Sequence, residues 1–247
     1  MKIGVALSGC DIGGISGYRL LCLLEDMGLN LHMISVSGTP SVAALLYKSG
    51  WSEKVCHAYL DDFLQSRRIA ELDTAIDAFS EKLSDRGWKP FRGLVINAVH
   101  IADGSAAAFT NDLVYRAGNL RTFPLNVPYH ALSATIGAVD GLGNYPYQGC
   151  KLCDYAIQHG CPFYPLRLSS CDMILSFSFL PQIPQSPYDI SLKNRIEHTC
   201  HAADFHFSFQ FPPESGKAFL LSDWEDLVTG QLEGQMKKLL YTTAFGR

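Results

Sequence analysis

The chain opens on an apolar run, Ile3-Gly4-Val5-Ala6-Leu7, followed at once by Ser8-Gly9-Cys10-Asp11-Ile12-Gly13-Gly14. A run this short before a glycine cluster predicts a buried strand over Lys2–Leu7 and a tight turn after it. From Ser16 to Met27 the apolar residues Tyr18, Leu20, Leu21, Leu23 and Leu24 return at helical spacing, and Gly28 stands where a helix-ending glycine belongs. A second strand is predicted over Leu29–Val36, a sharp turn at Ser37-Gly38-Thr39, and a second helix from Pro40 to Lys48 that stops at Gly50. Strand, glycine turn, helix, strand, tight turn, helix is the order that builds neighbouring parallel strands with crossover helices.

Farther along, Trp51 to Ser84 is helical in pattern, with the pieces Val55–Leu64 and Ile69–Leu83 carrying charge on one face. Leu94–His100 reads as a strand, with Ala107–Phe109 as its partner across the turn at Asp103-Gly104. Residues 116–128 carry Gly118, Pro124 and Pro128 and read as loop. A helix of small residues is expected over Tyr129–Ala138, then a loop from Asp140 to Gly149. Asp172–Phe179 reads as a late core strand, Pro181–Pro187 as loop, His206–Phe211 as a last strand, and Asp223–Leu240 as a terminal amphipathic helix. With no internal repeat and no linker composition, residues 1–247 are expected to form one α/β domain.

Composition narrows the function classes. Apolar residues make up 47% of the 247 and charged residues 18%, enough for a sizeable core and unlike a disordered chain. A formal net charge of −4 argues against nucleic acid as a partner. No apolar run is long enough to span a bilayer. The N-terminal run breaks at Ser8-Gly9-Cys10, too early for a signal peptide, so a cytoplasmic location is expected. Of the 8 cysteines, Cys22, Cys56 and Cys171 sit in apolar patterns and read as small buried hydrophobes. Cys150, Cys153, His159 and Cys161 have ligand types that suit zinc or a redox module. With one Cys-x-x-Cys and no second spaced pair, no metal and no cofactor are expected.

The glycine turn after the first strand excludes two nucleotide motifs. Glycines at 9, 13, 14 and 17 do not give G-x-G-x-x-G, and the second strand ends on Ser35 and Ser37 rather than on a carboxylate. No Gly-Lys-Ser/Thr follows, which excludes a P-loop. Two readings stay open: a nest of backbone N–H groups for an oxyanion or phosphate, or glycines that let strand and helix pack closely. The second turn, Ile34 through Gly50, has the shape of a strand–elbow–helix unit, in which a nucleophilic serine is held on a strained turn.

These motifs together resemble the patatin-like phospholipase family. Leu7-Ser8-Gly9 through Gly14 and on to Leu24-Glu25 and Gly28 is similar to that family's oxyanion loop and first helix, and Gly38-Thr39-Pro40 stands where the family has Gly-Thr-Ser. Asn97-Ala98-Val99 with Gly104 and Phe109-Thr110 resembles its central strand pair. Asp154-Tyr155-Ala156 falls where it has Asp-Gly-Gly or Asp-Gly-Ala, followed in order by Pro162, Asp172 and a closing helix from Leu221 to Gly230. The resemblance covers nearly the whole chain. It implies a three-layer α/β/α fold with a mainly parallel central sheet. The activity it implies is hydrolysis of acyl esters of lipids by a Ser–Asp dyad, with backbone amides of Gly9, Cys10, Gly13 and Gly14 as oxyanion hole. Peripheral membrane contact, through apolar residues such as those around Phe163-Tyr164, is part of the same implication; no protein partner is indicated.

Asp154 is the expected base, but Pro40 occupies the nucleophile position and has no nucleophilic atom. A proline ring fixes φ near −65°, which suits an ordinary helix start with Thr39 as N-cap and Pro40 at N1. Gly13 replaces the family's usual arginine and Cys10-Asp11 its glycines, and a carboxylate at Asp11 would oppose a developing oxyanion. Ser41 is the first candidate for a displaced nucleophile paired with Asp154, with Ser37 and the Cys10 thiol behind it. The expectation is therefore a patatin-like protein with weakened or lost hydrolase activity that still binds a lipid, an acyl group or a partner. The alternative is an active acyl-ester hydrolase running on Ser41 and Asp154.

Overall fold

The computed structural model describes residues 1–9, 12–69, 71–112, 120–137, 144–184, 186–212 and 220–245. The N-terminal third follows the hydrophobic pattern. β1 (Ile3–Gly9) leads through a 3-10 turn (Ile12–Ser16) into α1 (Gly17–Asp26), then β2 (Leu31–Gly38) and α2 (Pro40–Ser49). β1 is buried along its whole length because it lies at the centre of a sheet covered on both faces, which is why its sequence is apolar without alternation. Two long helices, α3 (Glu53–Ile69) and α4 (Leu72–Asp85), precede β3 (Leu94–His100), which turns back antiparallel into β4 (Ser105–Thr110).

The middle of the chain departs from expectation. Within the stretch read as loop, Arg121–Phe123 forms β5 alongside β4. The expected helix over Tyr129–Ala138 begins as α5 (Pro128–Leu132) and widens into a π-helical turn (Ser133–Gly137); Ala138 lies outside the described residues. β6 (Tyr145–Tyr147) lies in the expected loop and forms a hairpin with β7 (Cys150–Asp154), a stretch for which no element was expected. Two short helices, α6 (Ala156–His159) and α7 (Tyr164–Leu168), lead into β8 (Met173–Pro181). After β8 comes α8 (Pro187–Cys200), a helix that hydrophobic patterning does not single out, then β9 (Phe205–Phe211) and α9 (Leu221–Phe245). α8 starts on Ser186, whose side chain accepts the N–H of Asp189, and buries Leu192, Ile196 and Cys200 at four-residue spacing.

The strands order as β5-β4-β3-β2-β1-β8-β9, with β7 on β3 and β6 on β7, a mixed sheet that is mostly parallel. The helices α1, α2, α3, α4 and α9 pack with one another on one face, and α6, α7 and α8 lie on the other, giving an α/β/α arrangement. Connections that run from β1 toward β3 keep their helices on the first face, and those that run toward β9 through α6, α7 and α8 use the second. That is the arrangement right-handed crossovers require. β8 and β9 are joined on the first face by aromatic rings, Phe177 stacked on Phe207 at 5.2 Å and Phe179 tilted against Phe209 at 5.3 Å, and Phe211 meets Trp224 of α9 at 5.0 Å. The outer edge of β9 is closed by side chains. Gln235 of α9 both accepts from the N–H of Ser208 (3.1 Å) and donates to its carbonyl (2.8 Å), and Gln231 does the same for Gln210 (3.0 and 2.9 Å). Among the described residues no helix is long and apolar enough to cross a membrane.

One backbone contact sets the spacing at the head of the sheet. Gly38 ends β2 with φ +70°, and a Cβ there would overlap the carbonyl oxygen of Gly9 at the end of β1. Gly50, with φ +68°, has no atom within 4 Å of the same construction. Gly50→Ala should therefore cost only the left-handed strain, about 1 kcal/mol. Gly38→Ala should cost at least ~2 kcal/mol more, because backbone must also move. Urea unfolding of both variants checks this; equal losses would mean that Gly9 and Gly38 are free to separate.

Candidate functional site

Two strands divide one edge of β3 between them. β2 pairs with it in parallel up to Val36 opposite Ile96, and β7 takes over antiparallel from Ala98, which faces Asp154. Because the two strands run in opposite directions, their C-terminal ends meet, and Asp154 arrives beside the turn that leaves β2. Its Oδ2 lies 3.7 Å from where a Cβ of Gly38 would stand. Oδ1 accepts the N–H of Ala156 at 2.9 Å, while Oδ2 is buried with no hydrogen-bond partner among the described residues. The carboxyl is 1% exposed, and burial pushes its pKa up to about 7 against the opposing pull of the Ala156 N–H. The neighbouring turn is fixed by Thr135 of the π-helical turn, whose hydroxyl donates to the carbonyl of Asn97 (2.7 Å) and accepts from the N–H of Gly38 (3.0 Å). Single π-helical turns inside a helix are frequent at functional sites, and this one seats a polar residue against the elbow.

The residues expected to form the rest of the site are distributed as follows. Thr39 stands at the N-cap of α2 and Pro40 at N1, as expected, although Thr39 has helical backbone angles and its side chain makes no capping bond. The left-handed residue of the turn is Gly38, and the helix is already regular at Pro40. Ser41 is fully buried; its hydroxyl and Asp154 Oδ2 each lack a partner among the described residues, so no hydrogen bond joins the expected pair. Ser37 shares the opposite face of β2 with Ser35 and Met33, away from Asp154, since side chains alternate along a strand. Gly9 ends β1 against Phe179 and Pro40. A Cβ on Gly14 would lie 2.7 Å from Pro40 Cδ and against the Thr39 hydroxyl, and one on Gly13 would run into Trp224 and Phe211. The space that the bareness of these two glycines opens is thus filled by protein. Cys10 and Asp11 lie outside the described residues.

The cysteine–histidine group does not converge. Cys150 Sγ accepts from Arg121 Nη1 at 3.3 Å, His159 Nε2 donates to the carbonyl of Gly104 at 3.0 Å, and Cys161 turns to Cys200. A cavity of about 970 Å³ opens on the face of the sheet opposite Asp154, lined among others by Asp103, Arg121, Tyr155, His159, Phe163 and Tyr164. Asp103 and Arg121 are paired there at 2.9 Å. Sequence patterning missed Gly38 as the residue that faces Asp154, because the meeting of β2 with β7 is a tertiary event. It also missed Thr135, one small polar residue in a run of small residues.

A lone buried carboxylate is costly, so Asp154 keeps its proton when folded until the pH reaches its raised value. Between its ordinary value near 3.8 and about 7 the folded chain holds a proton that the unfolded chain has lost, so stability from this group falls as pH rises through that window. Asp154→Asn should equal wild type below pH 4 and exceed it above pH 7 by a few kcal/mol, an order-of-magnitude figure from the shift. Denaturant unfolding across pH 4–8 is the measurement; a difference that does not change with pH would show an ordinary carboxyl. No family model matches the chain, and no curated protein matches it.

Proposed function

We propose that this chain is a patatin-like protein whose acyl-ester hydrolase chemistry has lapsed and which acts by binding a lipid or other acyl-bearing molecule. The observation that carries the reading is the buried Oδ2 of Asp154, which faces the bare Cα of Gly38 and is bonded to no hydroxyl among the described residues. A Ser–Asp dyad needs the nucleophile within about 3 Å of its base. Pro40 offers no hydroxyl, and its ring packs against the glycine turn that would have to receive an oxyanion. The alternative pair, Ser41 with Asp154, gains no support from a hydrogen bond. For the ligand, the 970 Å³ cavity offers an aromatic wall from Tyr155, Phe163 and Tyr164 and a polar rim at Asp103 and Arg121, a lining suited to an apolar chain with a polar head.

Intact-mass labelling with a serine-directed fluorophosphonate tests the reading. Wild type and Pro40→Ser are both expected to give no adduct, since residue 40 stands at N1 of α2, past the turn that faces Asp154. A single adduct in wild type that disappears in both Ser41→Ala and Asp154→Ala would establish a working hydrolase instead. Binding of a fluorescent fatty acid should be nearly unchanged in Asp154→Ala and at least about tenfold weaker in Phe163→Asp, by the loss of apolar contact.

A further inference from the structure

Cys161 sits in the loop that leaves α6, and Cys200 is the last residue of α8. Their backbones are held together independently of the sulfurs. The N–H of Cys161 donates to the Thr199 hydroxyl at 2.7 Å, and that hydroxyl lies 2.9 Å from the carbonyl of Arg195 one turn earlier. Gly160, with φ +68°, allows the approach: a Cβ there would strike the Thr199 side chain and stand 2.7 Å from the Arg195 carbonyl oxygen. Both cysteines are fully buried in the same apolar cluster, and the two thiols are close enough that each is the strongest influence on the other's protonation. His206 of β9 lies beside Cys200, and its Nδ1 is 2.9 Å from the hydroxyl of Ser176. His201, which is exposed, stands edge-on to His206 at 6.1 Å.

We propose that Cys161 and Cys200 form an oxidisable dithiol site, converted by a peroxide to a disulfide that staples the end of α8 to the loop after α6. The roles of the two sulfurs differ. The neighbouring Cys161 and His206 pull the Cys200 thiol down to about 6, while Cys161 is pushed up. Cys200 is then the thiolate and Cys161 the thiol, the division of labour of an attacking and a resolving cysteine. The Cys200 thiolate attacks one peroxide oxygen, the O–O bond breaks, and hydroxide leaves, giving a sulfenic acid. Cys161 gives up its proton and attacks that sulfur; the S–S bond forms and the sulfenic oxygen departs as water. Two thiols and one hydrogen peroxide become one disulfide and two waters. No metal and no second protein is required. Both sulfurs are buried, so the reaction requires local opening of the loop after α6 to admit the peroxide.

Treatment of the folded, reduced full chain with a small excess of hydrogen peroxide, followed by intact-mass measurement and tandem fragmentation, tests this. The expected result is a loss of 2 Da in mass (two hydrogens) with Cys161 joined to Cys200. Fragmentation is needed because trypsin leaves Cys153 and Cys161 in one peptide. The oxidised chain should melt several degrees higher, roughly 5 °C, and return to its starting value with a dithiol reductant. Cys161→Ser and Cys200→Ser should each abolish the 2 Da loss, Cys153→Ser should not, and the wild-type linkage map stands if either serine variant misfolds. A bond mapped to any other pair, or oxygen addition without a disulfide, overturns the proposal.

Discussion

Gly9 and Gly38 end neighbouring parallel strands with their backbones in direct contact, and the geometry around them follows from that closeness. A side chain at 38 would collide with the Gly9 carbonyl, so β1 and β2 finish level and release α1 and α2 side by side on the same face. Pro40, held at the first turn of α2, is thereby pressed against Gly14, and the glycine turn closes over a proline ring where an open nest of amides would need room. The same level finish leaves the edge of β3 free beyond Ile96, and β7 fills it, carrying Asp154 to the junction.

What the junction holds is a buried acid with one oxygen bonded to the Ala156 N–H and the other without a partner among the described residues. Burial is nearly complete, so the neutral form is the one that folding favours at mildly acidic pH. In an active hydrolase the cost of a raised carboxyl is offset by the proton it takes from a nucleophile. Of the two serines that flank the turn, Ser37 lies on the opposite face and Ser41 is buried within α2. The strain usual at a nucleophile elbow is borne by a glycine, which adopts φ +70° at little cost.

How far the sequence disclosed this depends on how local each feature is. The opening β–α–β–α unit, the β3–β4 pair, the strand over 173–181 and the terminal helix were legible because each is long enough to show its own periodicity or a terminating glycine. β5, β6 and β7 span only three to five residues and draw their apolar positions from contacts across the sheet, so residues 121–123 and 145–147 passed for loop and 150–154 showed no strand pattern. α8 was hidden by the charged residues between Leu192, Ile196 and Cys200, although Ser186 followed by Pro187 and Asp189 carries a helix-start signature. At the site, Asp154 and Pro40 could be named from their motifs, whereas their separation could not. The spacing of Cys150, Cys153, His159 and Cys161 suggested one cluster, yet β7 directs its two cysteines to opposite faces and the loop beyond hands Cys161 to a partner far along the chain.

The paired amides of Gln231 and Gln235 have a consequence for how this molecule meets others. Each reproduces the donor and acceptor of a peptide group, so α9 presents to β9 what another strand would present. A parallel sheet that ends on Phe205, Phe207, Phe209 and Phe211 is a template for stacking one copy on the next. Two glutamines four residues apart turn that template into a finished border, and the sheet's growth stops within its own chain.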